Sequence, residues 1–381
     1  MLRNILVQLY LFLQPLLGMG QSLSADEVAH LPNGLNESSG MAFIGENAIA
    51  MINDGGNDAE LFIVDTLGNL IMRPKLLGLP NRDWESLCYA NGLLYIGDFG
   101  NNNNSRQNLE ILVLDISRLL SDEEWSLKGR IPFSYADQKA FPPIESSDWY
   151  YDLEAMVYSN DSLFLFTKNR TKPFDGLVKV YALSTKIRTQ EAQYIKSFKT
   201  EIGLKHFNWV AGASIGPNGD DLFLLGYSKL WYIADWRNNS ELKAFPYSLG
   251  YFSQKEALAY SNNQIYFSEE RTKGQDPKLH KLSVDVFRDQ YRHLMEEIFR
   301  LPAQKVDEDK ILRITFKDPH HFIGSTYHIY NTSGIEVLKG EFTAEMLKQP
   351  EYEIDLTSLM PGRYVFSLRG QIKRAFAIQV L

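Results

Sequence analysis

Cysteine is almost missing from this chain: Cys88 is the single one in 381 residues. A disulfide framework, a zinc–cysteine site and Cys-x-x-Cys redox chemistry are therefore excluded within one chain. Cys88 stands in the apolar run Leu87-Cys88-Tyr89, where a buried, inert thiol is expected in place of a nucleophile. Histidine is also sparse, and His30, His206, His280, His293, His320, His321 and His328 show no His-Glu-x-x-His or comparable ligand spacing. Basic blocks are lacking and the net charge is −8. Nucleic acid is not an expected partner, because phosphate contacts need clustered Lys and Arg. P-loop and dinucleotide-binding glycine patterns are absent, and no segment after residue 20 reads as transmembrane.

Aromatic residues are abundant instead, at 13% with 20 Tyr and 22 Phe, which favours strands. The length predicts two folded domains after processing. Residues 1–20 read as a signal peptide: Arg3 supplies positive charge, Ile5 to Leu17 is apolar apart from Gln8 and Gln14, and Gly18 and Gly20 suit cleavage before Gln21. The apolar run is too short to span a bilayer comfortably. The protein is expected to be secreted or held at the outer cell surface.

Residues 37–284 carry an internal repeat, within a domain expected over 21–284. Each unit has a first strand, a tight turn, a strongly apolar second strand, a loop and a third strand. First strands open at Glu37, Glu85, Leu153-Glu154, Val210 and Glu256, and the turns include Asn91-Gly92, Asn218-Gly219 and Asn262-Asn263. Asn-Gly between apolar runs is a sharp hairpin signal because both turn residues must take positive φ. Second strands such as Leu93 to Asp98 and Leu222 to Leu225 are continuous apolar runs, as expected for strands buried on both faces. Fourth strands fall at Leu70 to Leu76, Ile131 to Tyr135, Tyr194 to Phe198 and Leu242 to Tyr247. The fifth unit lacks its own, and Val28 to Pro32 is predicted to complete it. The fold class is all-β: a β-propeller with five blades counted. Six blades remain open, because residues 117–150 are long enough to hide weak strands.

A linker helix is expected over 285–302, with Phe287, Tyr291, Leu294, Met295 and Ile298 at helical spacing and Pro302 at its end. Residues 303–381 contain six short strands, predicting a small immunoglobulin-like β-sandwich. Within it, Tyr327-His328-Ile329-Tyr330-Asn331-Thr332-Ser333-Gly334 and Ile354-Asp355-Leu356 through Leu359-Met360-Pro361-Gly362-Arg363-Tyr364-Val365 resemble the C-terminal sorting domain of type IX secretion cargo. The resemblance covers about 70 residues and implies export by that route, with the secretion machinery as partner. The usual Tyr-Pro-Asn-Pro opening and terminal lysine are missing.

The candidate chemistry lies in the propeller. Glu37, Glu85, Glu154 and Glu256 open four of the five units, and second strands end in further polar groups: Asn53 and Asp54, Asp98 with Asn101 and Asn102, Lys168 and Asn169, and Glu269 and Glu270. With first strands innermost, these positions gather at one mouth of the central channel, and Glu37, Glu85, Asp98, Glu154, Glu256 and Glu269 are the six candidate metal ligands. Clustered carboxylates repel unless a cation or protons compensate them. Ca²⁺, which takes six to eight oxygen ligands, suits such a set. Alternatively, each Glu bonds a neighbouring blade's backbone, or Lys168 and Arg170 neutralise the ring. Glu85 with Gly97-Asp98-Phe99-Gly100-Asn101-Asn102, and Glu256 with Ser268-Glu269-Glu270, also resemble calcium-dependent gluconolactonase- or phytase-like propellers, which implies a hydrolase. Gly212-Ala213-Ser214-Ile215-Gly216 fits a nucleophile elbow in letters only, because a second strand follows where that elbow needs a helix. Two functions stay open: an exported propeller binding an extracellular ligand or protein, or a calcium-dependent esterase, lactonase or phytase-like hydrolase.

Overall fold

The computed structural model describes residues 23–381 apart from 201–202, 234–235, 238–243, 273, 288–303, 307, 316–323, 333, 344, 346–350 and 370–373. The signal-peptide segment and most of the linker helix lie outside these; residues 285–287 are helical. Two compact units result, Gln21–Val286 and one containing Phe287–Leu381.

The larger unit is a β-propeller. Strand β1 is Asp26–His30, and blade one is β2 (Ser38–Gly45), β3 (Ala48–Asn53), β4 (Phe62–Asp65) and β5 (Leu70–Met72). Blade two is β6 (Trp84–Ala90), β7 (Leu93–Asp98), β8 (Leu109–Asp115) and β9 (Ser126–Tyr135), with the one-turn helix α1 (Leu119–Asp122) before β9. Blade three is β10 (Leu153–Ser159), β11 (Ser162–Thr167), β12 (Leu177–Ser184) and β13 (Gln190–Lys199). Blade four is β14 (Gly212–Ile215), β15 (Leu222–Leu225), β16 (Lys229–Ile233) and β17 (Phe245–Ser248). Blade five is β18 (Lys255–Ser261), β19 (Gln264–Glu269) and β20 (Lys278–Ser283), completed by β1. Antiparallel pairing of β1 with β20, from Asp26 opposite Lys281 to His30 opposite Lys278, closes the ring.

The innermost strands β2, β6, β10, β14 and β18 each neighbour the next, and β18 returns to β2. The blades therefore number five. Residues 117–150 supply only α1, β9 and the short 3-10 turn Ser146–Asp148, so no sixth blade arises there. One feature was not legible: β13 also pairs parallel with β9, Gln190 opposite Phe133, joining blades two and three into one eight-stranded sheet.

Second strands are buried on both faces because a blade packs on either side; every residue of β3 and β15 is buried. Apolar clusters fill the spaces between blades, with Leu61, Trp84 and Ile96 between blades one and two, and Tyr95, Leu153 and Leu165 between two and three. The hairpins at Asn91-Gly92, Asn160-Asp161 and Asn262-Asn263 have both turn residues at positive φ, the geometry that matches strand twist. At Asn218-Gly219 only Gly219 does, within a wider loop closed by Gly216 N–H on the Asp221 carbonyl.

The smaller unit has a five-stranded sheet in the order β21-β27-β26-β23-β24 and a separate two-stranded ladder β22-β25. Their ranges are β21 (Gln304–Lys305), β22 (Ile311–Thr315), β23 (Thr326–Tyr330), β24 (Glu336–Glu341), β25 (Glu351–Asp355), β26 (Gly362–Arg369) and β27 (Arg374–Val380). One core, including Leu312, Ile329, Phe342, Ile354, Phe366 and Ile378, serves both sheets. Among the described residues, no helix is long and apolar enough to cross a membrane.

Candidate metal centre at the channel mouth

Inner strands enter the ring through β-bulges, which re-aim side chains at strand starts. The pairing of β6 with β7 shifts between Trp84 and Ser86, that of β10 with β11 between Leu153 and Ala155, and that of β18 with β19 between Lys255 and Leu258. Glu85, Glu154 and Glu256 occupy these bulges, and all three are buried. In blade one the shift falls between Ser38 and Gly40, so Ser39 holds the equivalent place. Glu37 lies two residues earlier, is exposed, and accepts a hydrogen bond from Asn57 Nδ2 at 2.6 Å.

Asp98 and Glu269 are likewise drawn into other contacts. Asp98 is fully buried between Arg82 Nη1 and Arg106 Nη2, each 2.8 Å from one carboxylate oxygen. Glu269 accepts from Ser253 Oγ at 2.9 Å and from Tyr251 Oη, with Lys255 Nζ and His280 Nε2 each at 3.4 Å. Burial raises the Glu269 carboxyl, but the bonds from His280 and Tyr251 and the Lys255 charge outweigh it, leaving it at about 2. Of the six residues expected at the mouth, Glu85, Glu154 and Glu256 converge, while Glu37, Asp98 and Glu269 serve local contacts.

Three other carboxylates join them. One oxygen from each of Asp54, Asp83 and Glu85 lies within 4.8 Å of the others. Glu270 follows β19, and its carboxyl is pushed up to about 9 by burial, then by Glu256 and Asp54. Burial also lifts Asp54 to about 7, with Asp83 and Glu256 adding to the rise against a bond from the Gly55 amide. Glu85 and Glu154 are driven well above the carboxylate range, foremost by burial. Asp83 was not singled out from the sequence; its only signal was the Asp-x-Glu spacing to Glu85, which places alternate residues on one strand face.

Two glycines make the space. A Cβ on Gly100 would stand 2.5 Å from Glu85 Oε1, and one on Gly55 would stand 2.6 Å from Asp83 Oδ1. Against six carboxylates stand three cations, of which Arg106 Nη1 lies 3.8 Å from Asp83. Lys168 Nζ is 2.9 Å from Glu154 and 3.9 Å from Glu256, and its own burial is outweighed by those charges, which hold its pKa well above the usual value. Arg170 Nε binds Asp152 at 2.5 Å and its Nη2 reaches Glu154 at 3.3 Å. Glu256 Oε2 is buried, with the Lys168 ammonium 3.9 Å away and the Tyr227 hydroxyl bonding the same carboxyl. The acidic side thus offers a hard cation an oxygen-only donor set, in which a bound cation would take the place of protons.

Other motifs resolve into packing. Ser214 Oγ accepts the Tyr260 amide at 3.0 Å, and a Cβ on Gly212 would stand 2.6 Å from the Glu256 carbonyl oxygen, so this Gly-x-Ser-x-Gly stretch lets inner strands approach. Cys88 is buried, and burial pushes its thiol up.

No protein-family model matches the chain, and no curated protein does. Solved structures with similar folds include a glycosyl hydrolase from Bacteroides ovatus, at 10% identity and TM-score 0.43, covering 70% of this chain and 95% of that one. The PQQ-bound aldose sugar dehydrogenase from Streptomyces coelicolor aligns at 10% identity and TM-score 0.41, over 68% and 98%. The WD40 β-propeller domain of Doa1 aligns at 11% identity and TM-score 0.35, over 68% and 97%. The likeness is one of propeller-like folds at low identity, and no activity is carried across from it.

Proposed function

We propose that this protein is an exported propeller that binds an extracellular ligand at the channel mouth, where Asp54, Asp83 and Glu85 hold a calcium ion. The observation that carries this reading is the grouping of Asp54, Asp83 and Glu85, whose oxygens lie within 4.8 Å of one another in a set of six carboxylates faced by Lys168, Arg170 and Arg106. Buried like charges need compensation, and an oxygen-only set selects a hard cation. Bound calcium would supply a fixed positive centre to which oxygen atoms of a ligand add. Export rests on the N-terminal segment and on the sorting-domain resemblance of residues 303–381.

The test is thermal unfolding of the purified protein with calcium and with chelator, at fixed ionic strength. Calcium is expected to raise the melting temperature in a saturable way. An unchanged melting temperature in chelator would sink the metal assignment.

A calcium-dependent hydrolase with its site at the channel mouth is the second reading, favoured by the same oxygen-lined set of Asp54, Asp83 and Glu85, where a bound cation would polarise a substrate oxygen. Assay of lactone, ester and phosphomonoester substrates with calcium separates the two readings, since a binding module gives no turnover above the buffer blank.

A further inference from the structure

Blade four presents a surface of opposite character at the same mouth, joined to the acidic side through Lys168. Trp209 is ringed by cations: Arg170 Cζ lies 4.6 Å, Lys205 Nζ 5.0 Å and Lys168 Nζ 5.3 Å from its ring. The His206 ring meets the same indole edge-on, with centroids 4.6 Å apart. Aromatic contact continues from Trp209 to Tyr227 at 6.2 Å, to Phe252 at 5.7 Å and on to Phe207 at 5.1 Å. Phe207 and Phe252 are 40% and 48% exposed, so this aromatic row ends in solvent.

Lys168 and Arg170 are held by carboxylates. Lys205 is not: it is exposed, and among the described residues it has no ion-pair partner. The His206 imidazole is held below its ordinary pKa by burial and then by Lys205, Arg170 and Lys168, so three cations act on one point of an otherwise acidic protein. A ligand fitting this rim carries one anionic group for Lys205 and an apolar face for Phe207 and Phe252. Across the mouth, the carboxyl groups of Asp54 and Glu270 offer oxygen acceptors to hydroxyl donors. A sugar ring bearing a single carboxylate meets all three demands.

We infer that the blade-four rim binds a uronic acid, with its carboxylate on Lys205 and its ring against Phe207 and Phe252. This deepens the ligand-binding reading of the mouth and rests on it, but not on the bound cation. The test is calorimetric titration of the full chain with D-galacturonate, D-galactose, benzoate and inorganic phosphate, each in calcium and in chelator. Galacturonate is expected to bind at least about tenfold tighter than the other three, which lack the charge, the hydroxyls or the ring. Lys205→Glu should abolish that binding and Phe207→Ala should weaken it by about fivefold. Both side chains are exposed, so an unchanged melting temperature verifies that each variant is folded. Absent galacturonate binding, equal binding of galactose, benzoate or phosphate, or an undisturbed Lys205→Glu variant would each overturn the inference. Lys205-dependent galacturonate binding in a protein whose stability ignores calcium supports the inference while removing the metal.

Discussion

The Lys168 ammonium stands 2.9 Å from Glu154 and 3.9 Å from Glu256, and all three side chains are buried. A cation so placed links blades three and five across the mouth. Removing one partner of a buried pair leaves an uncompensated charge, at a cost of about 3–5 kcal/mol. Lys168→Met should therefore destabilise the propeller by that order in urea unfolding. Adding Glu154→Gln should recover part of the loss; a double variant as unstable as the sum of the singles would exclude this coupling.

Glu85→Gln keeps size and removes charge beside Asp54 and Asp83. A ligand bound only by the native state stabilises it by about 2.7 kcal/mol at a hundredfold excess over Kd. The wild type should show that gain on adding calcium, and Glu85→Gln should lose most of it.

The mouth also sets a pH dependence. Asp54 and Glu270 hold carboxyls at about 7 and about 9 in the fold, against 3.8 and 4.5 ordinarily. The native state thus binds more protons than the unfolded chain above those ordinary values, and stability falls as pH rises through 7 and then 9. In chelator the melting temperature should decline across this window, and calcium, replacing the protons, should flatten it. Glu269 behaves oppositely: with its carboxyl lowered from 4.5 to about 2, its contribution is present above 4.5 and is lost on acidification through 2. A melting temperature that rises from pH 5 to 9 in chelator would contradict the assignment for Asp54 and Glu270.

Deleting residues 23–31 removes β1, whose pairing covers the edge of β20. Blade five would then keep three strands and a bare edge, which invites edge-to-edge association. A lower urea midpoint and concentration-dependent aggregation are expected; light scattering and unfolding curves matching the full chain would refute this role.

Residues 303–381 should be dispensable for the propeller, which has its own cores. A truncated protein ending at residue 302 should keep the β signature and cooperative melting of the propeller but lose release or surface attachment. Fractionation showing unchanged localisation would remove the sorting role.

Much of the propeller was written locally in the chain. Apolar runs such as Leu93 to Asp98, flanked by asparagine turns that tolerate positive φ, mark each hairpin, and the strandless end of unit five called for a strand from the N-terminus. These signals are legible because period, turn chemistry and edge satisfaction depend on residues close in sequence. The β9–β13 pairing was not, nor was Asp83 at the mouth, nor the diversion of Glu37, Asp98 and Glu269 from it. Letters align Glu37 with Glu85, yet the bulge between Ser38 and Gly40 puts Ser39 in that place. Asp98 and Glu269 look like their mouth-facing neighbours, but Arg82, Arg106, Lys255 and His280 claim them. Asp54, Asp83 and Glu270 meet Glu85, Glu154 and Glu256 only where the ring of blades closes. A carboxylate's role is set by the charges within a few ångströms of it, and those come from segments that only the folded ring brings together.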